Sequence, residues 1–116
     1  MYIIQGFDQN LLVLTMSAFQ EISKRVTSLN ITDPLARQLL RLILGTAHEL
    51  TMDTHGHIRI PEELKEYAGL DGEILLVGQG NYMEIWSPQL WNEQEAQLKD
   101  ASANASRFSA LMLVTH

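Results

Sequence analysis

Short apolar runs alternate with longer amphipathic ones along the whole chain. In residues 57–60, Ile58 and Ile60 fall on one face of a strand, while His57 and Arg59 fall on the other. Strands are also predicted at 47–52, 73–77 and 82–86, the last two joined by Gly78-Gln79-Gly80-Asn81, a glycine-bearing hairpin signal. Apolar runs around Ile3-Ile4 and Leu11 to Leu14 have the same character. Thr15 then caps a helix over 16–27, and Ser87-Pro88 opens one over 89–99. Asp33-Pro34 starts a further helix, with Leu35, Leu39, Leu42 and Ile43 on one face and Gly45 as its stop. Arg37 and Arg41 lie on the opposite, solvated side. Pro61 ends the 57–60 strand and hands over to a helix over 62–68 that stops at Gly69. In the tail, Phe108, Leu111 and Met112 recur at helical spacing.

An offset of 72 residues brings similar side chains together. It pairs Ile3-Ile4 with Leu75-Leu76, Gly6 with Gly78, Leu11 with Met83, Val13 with Ile85, Leu14 with Trp86, and Phe19 with Trp91. Two copies of one supersecondary unit would give this match without a gap. The opening portion of the second copy, from Ala47, has no counterpart after Met1, so the first copy lacks its opening hairpin and short helix. The expected organisation is 1–30 as the back half of a first repeat and 31–46 as a linking helix. A complete second repeat follows over 47–99, and then a helical tail over 100–116.

Composition narrows the classes. With 116 residues and 46% hydrophobic content, one domain with its own core is expected. There are no cysteines, which excludes disulfides and thiolate metal sites. The apolar runs are too short to span a bilayer, and no leader is evident, so a cytoplasmic protein without a membrane partner is expected. The net charge of −6 argues against non-specific coating of nucleic acid, although eight Lys and Arg gathered on one face of an oligomer could still contact DNA.

Residues 53–61 carry most of the candidate chemistry. Asp53 and Gly56 read as structural turn residues, the first bonding backbone amides and the second tolerating positive φ. Asp53, His55 and His57 alternate, and His48 could join them across a hairpin, but the glycine turn breaks a metal-binding geometry and no metal is expected. No catalytic triad or phosphate-cradling loop is present, so neither catalysis, a cofactor nor a small-molecule substrate is expected. Trp86 and Trp91 read as packing residues.

Asp53, Gly56, Ile58, Ile60 and Pro61, then Glu63-Leu64-Lys65-Glu66-Tyr67-Ala68-Gly69-Leu70, resemble the MraZ family. The similarity continues through Val77-Gly78-Gln79-Gly80-Asn81 and Glu84-Ile85-Trp86 to Trp91. The resemblance implies an α+β fold, the AbrB-like swapped-hairpin β-barrel built from a tandem repeat, here with an incomplete first copy and flanking helices. It also implies a repressor of the bacterial division and cell wall gene cluster, binding direct repeats in double-stranded promoter DNA as a homo-oligomer, dimer or ring, at the nucleoid.

The family motif is Asp-x-x-Gly-Arg, and its arginine is implicated in DNA contact; here that position is His57. Arg59, on the same strand face and displaced by about 6.6 Å, is the expected substitute. The candidate DNA-facing set is therefore Arg59, His57, His55 and Lys65. The competing expectation is an AbrB-like antitoxin or protein-binding module, whose tail docks a partner. The half-unit without its strand partners also predicts pairing with another chain.

Overall fold

The computed structural model describes residues 1–110. Its centre is a five-stranded antiparallel sheet in the order β3-β1-β2-β5-β4. The strands are β1 (Tyr2–Gln5), β2 (Leu11–Leu14), β3 (His48–Glu49), β4 (Leu75–Gly78) and β5 (Tyr82–Trp86). Five helices accompany them: α1 (Met16–Thr27), α2 (Pro34–Ile43), α3 (Glu62–Ala68), α4 (Pro88–Leu98) and α5 (Ala101–Ala110). The mixed α and β content agrees with the class read from the sequence.

Local chemistry sets the helix ends. The hydroxyl of Thr15 accepts from the Ala18 amide at 3.1 Å, and that of Ser87 accepts from Leu90 at 3.2 Å. The Asp33 carboxylate accepts from the Leu35 amide at 3.0 Å. Each such cap supplies a partner to an amide that the helix itself leaves open, worth about 1 kcal/mol. Gly69 closes α3 at φ 64°, a conformation open to glycine without strain.

The two hairpins, β1–β2 and β4–β5, join through β2 and β5. Leu11 lies opposite Ile85, Leu12 opposite Glu84, and Val13 opposite Met83. One side of the sheet carries Ile3, Leu11, Val13 and Ile85, covered by Leu50 and by Leu64 and Ala68 of α3. The other carries Ile4 and Leu14, covered by Val26 of α1 and Ile43 of α2. Tyr2 stacks on Phe19 there, with ring centroids 4.3 Å apart.

Several sequence expectations need correction. The 47–52 and 57–60 strands shrink to the two residues of β3 and a single bridge between Met52 and Ile58. Residues 57–60 have only this one neighbour, and a lone two-stranded pair is marginal in water. The buried face of α2 is also rotated. Ala36 and Ile43 are buried, with Leu39 and Leu40 packed beside them, whereas Leu35 is 72% exposed. The strand expected over 73–77 starts two residues later and ends one later, at Gly78, and is preceded by a bridge between Asp71 and Glu73. In the ladder Ile3 lies opposite Val13, whereas Leu76 rather than Leu75 lies opposite Ile85. The gapless 72-residue match thus slips by one residue at β4, because the second hairpin is one residue shorter. In the tail, Leu111 and Met112 lie outside the described residues, and only the backbone of Phe108 is described.

Candidate nucleic-acid interface

The turn at residues 53–57 is held by its own polar atoms. Asp53 Oδ1 accepts from the backbone amides of His55 at 2.9 Å and His57 at 2.8 Å. The Asp53 amide donates to the His57 carbonyl at 2.9 Å, closing the loop. Gly56 has φ 82°, where an L side chain would be strained. A short side-chain acceptor at position 53 and glycine at 56 both suit so tight a turn.

The alternation beyond the turn sorts the side chains. Ile58 and Ile60 pack against the core beside Leu50 and Leu64, while His57 and Arg59 are exposed. Among the described residues no carboxylate lies within 4.0 Å of Arg59. A free, exposed guanidinium keeps all five donors available to a planar oxyanion such as phosphate.

Arg59 and Lys65 line one open cleft of about 530 Å³, together with Glu62, Asp71 and the apolar Ile60 and Ile74. Lys65 sits 3.9 Å from Glu62 in an exposed i, i+3 pair, which water and salt weaken. Two cations and two carboxylates leave the cleft formally neutral, so any anion contact there rests on the reach of Arg59 rather than on a basic field. His55 and His57 stand outside that lining, at the turn itself, with ring centroids 6.2 Å apart. His57 Nδ1 lies 3.3 Å from Asp53 Oδ2. The structure thus brings Arg59 and Lys65 together and places the two histidines beside them.

The metal alternative finds no support in the geometry. His48 turns away to Glu63, 3.3 Å from its carboxylate, and to the Thr46 carbonyl at 2.9 Å. Among the described residues no group of three His, Asp or Glu side chains converges on a point that could hold an ion. Trp86 is buried and meets Trp91 edge-on at 5.5 Å, a packing contact rather than a free stacking platform.

The same turn, strand and helix lie inside the segment that matches known proteins. The model of the MraZ protein family, antitoxin-like by its description, matches residues 43–111. The chain belongs to the MraZ family. A transcriptional regulator MraZ from Thermomicrobium roseum is 37% identical over 109 residues, covering 93% of this chain and 77% of that protein. The protein of the same name from Hydrogenovibrio crunogenus is 39% identical, covering 80% of this chain and 61% of its own length. That of Herpetosiphon aurantiacus is 37% identical, covering 91% and 75%. Among the described residues no helix is long and apolar enough to cross a membrane.

Two features escaped the sequence reading. Asn10 is 1% exposed and bonds Glu84, and Tyr67 donates to the Gly6 carbonyl at 2.7 Å. Neither has a local signal, because both join residues more than 60 positions apart. The second feature is an apolar groove beside β4, for which the exposed run Leu75-Leu76 was a usable signal.

Proposed function

We propose that this chain regulates transcription by binding double-stranded promoter DNA, with Arg59 as its principal phosphate contact and Lys65, His57 and His55 beside it. The relatives' names support the regulatory reading. The single observation that carries the DNA reading is the exposed Arg59 guanidinium, which among the described residues has no carboxylate partner, next to a turn braced by Asp53. Phosphate contacts fix register on a duplex, and a fork-shaped donor suits them. With a net charge of −6, one such site is too weak alone, so a homo-oligomer that presents several copies to direct repeats fits the electrostatics. Regulation of the division and cell wall genes, at the nucleoid in the cytoplasm, is part of this reading.

The fold reading extends the same way. The chain is a tandem of AbrB-like units of swapped-hairpin type, with 1–30 as an incomplete first unit, 31–46 linking, 47–99 as the second unit and 100–116 as the tail. The β2–β5 ladder supports it, since Leu12 and Glu84 are equivalent under the 72-residue offset and lie opposite each other. Asp53 and Gly56 act as turn-builders in this reading.

Fluorescence anisotropy with a duplex from the chain's own promoter region, at fixed and then varied salt, tests the site. Arg59→Ala is expected to weaken binding by about 1–3 kcal/mol and to lower the salt slope by about 1. Unchanged affinity and slope would remove Arg59 from the interface. A protein-binding role, in the manner of an antitoxin, is the second reading, favoured by the apolar groove at β4. Co-purification of a stoichiometric small protein, with no duplex binding, would select it.

A further inference from the structure

We propose that the turn carrying His55 and His57 makes duplex affinity proton-dependent. His57 offers phosphate a donor only when its ring is charged, so the chain holds DNA more tightly as pH falls. The inference rests on the DNA reading above and adds a control to the same site.

The Asp53 carboxylate divides its two oxygens. Oδ1 accepts from the backbone amides of His55 at 2.9 Å and His57 at 2.8 Å, which fixes the carboxylate in the turn. Oδ2 lies 3.3 Å from His57 Nδ1. A bare Nδ1 lone pair at that distance would face an oxygen that can only accept, so a neutral ring keeps its single proton on Nδ1. Nε2 then carries only a lone pair, on a side chain that is 78% exposed. Phosphate oxygens also only accept, so the neutral ring has nothing to give them. Once charged, the ring has a proton on each nitrogen, one towards Asp53 and one for phosphate. The pair of Asp53 and His57 loses its net negative charge at the same step.

Few charged or titratable groups surround the ring. Among the described residues Asp53 is the one carboxylate within 4.0 Å of its nitrogens. His55 stands across the turn, its ring centroid 6.2 Å away, and Arg59 follows on the same outer face. The inner face of the segment presents Ile58 and Ile60, packed on Leu50 and Leu64, rather than charge. Two charged imidazoles at that spacing repel each other, and a duplex laid across the turn offsets the repulsion. Proton uptake and DNA binding therefore reinforce each other, and affinity rises as pH falls because the bound state holds more protons.

The local charge decides how much this matters. At the turn and the adjoining cleft, Arg59 and Lys65 stand against Asp53, Glu62 and Asp71. Carboxylates outnumber cations there while the histidines are neutral, and protons on both reverse the sign. Imidazole is the side chain whose charge changes between about pH 5 and 8. An arginine keeps its charge through that range, so Arg59 supplies a constant contact and the histidines a variable one.

Fluorescence anisotropy with the promoter-region duplex, at constant ionic strength from about pH 8 to about pH 6, reads the effect. Wild-type affinity is expected to rise at least about threefold, with a salt slope steeper by about 1. His57→Gln should stay weak and lose most of the rise. His57→Arg, charged throughout, should bind at the upper pH as tightly as wild type does at the lower. His48→Gln, which removes a histidine outside the turn, should keep the rise. Nitrogen-15 shifts of the His57 ring in the free chain at the upper pH should place the proton on Nδ1. A flat wild-type profile, a rise that survives in His57→Gln, or a neutral ring protonated on Nε2 each overturns the proposal. Absence of duplex binding at every pH, by wild type and by His57→Arg alike, sinks the DNA reading with it. Binding without pH dependence sinks the proton control alone.

Discussion

Asn10 and Glu84 stand 74 positions apart and are tied by one hydrogen bond, the Asn10 amide Nδ2 donating to Glu84 Oε2 at 2.9 Å. The other carboxylate oxygen of Glu84 accepts from Gln79 Nε2 at 3.0 Å and from the Trp86 indole at 3.2 Å. One acidic side chain thus satisfies a buried amide of the first hairpin and two donors of the second. Within the first hairpin, Asn10 also closes its own loop, its carbonyl accepting from the Gly6 amide at 2.8 Å.

Glu84→Ala is expected to destabilise the fold by about 1–3 kcal/mol, because it leaves the Asn10 amide buried without an acceptor. Urea unfolding measures this. Combined with Asn10→Ala in a double-mutant cycle, the pair should show a coupling of about 0.5–3 kcal/mol. Additive losses would mean the two hairpins are joined by backbone pairing alone.

Leu64→Ala should cost about 2–5 kcal/mol, since the side chain is 1% exposed and is the main apolar contact of α3 with the sheet. The seven-residue helix is too short to hold itself. Its amides should therefore exchange much faster in the variant than those of β2, and uniform exchange across both would show that α3 is not anchored through this residue.

Asp53→Ala should loosen the turn without unfolding the domain. Its carboxylate holds the amides of His55 and His57, and the whole loop is exposed. Global stability should move by less than about 1 kcal/mol, while exchange at those two amides accelerates. If their exchange is unchanged, Gly56 and the backbone bonds suffice to shape the loop.

The local chemistry of the chain was legible before the fold was known. Thr15, Asp33 and Ser87 cap the helices expected of them, and residues 82–86 form the strand their pattern predicts. Periodicity failed where a distant neighbour decides the outcome. The α2 face was read from leucine spacing alone, yet Leu35 sits in the first turn, facing solvent, while the smaller Ala36 is buried. The 57–60 strand has the right alternation but only one bridge to a partner, so its side chains sort as predicted while its ladder does not form. At the candidate interface, Arg59 could be placed on the outer face from sequence. Its company in the cleft, Lys65 with the carboxylates of Glu62 and Asp71, depends on how α3 folds back and on the loop after it.

The meeting of β2 with β5 also dictates an order of events at the ribosome. Residues 11–14 are made early, but their second neighbour, residues 82–85, is encoded some seventy codons later. At ordinary synthesis rates the first hairpin waits several seconds with one edge open, and contacts that span so much chain form slowly even after release. During that interval the apolar edge of β2 is exposed to every other nascent chain nearby. Speeding translation of the 30–80 region, or sheltering the emerging hairpin with a chaperone, should therefore raise soluble yield.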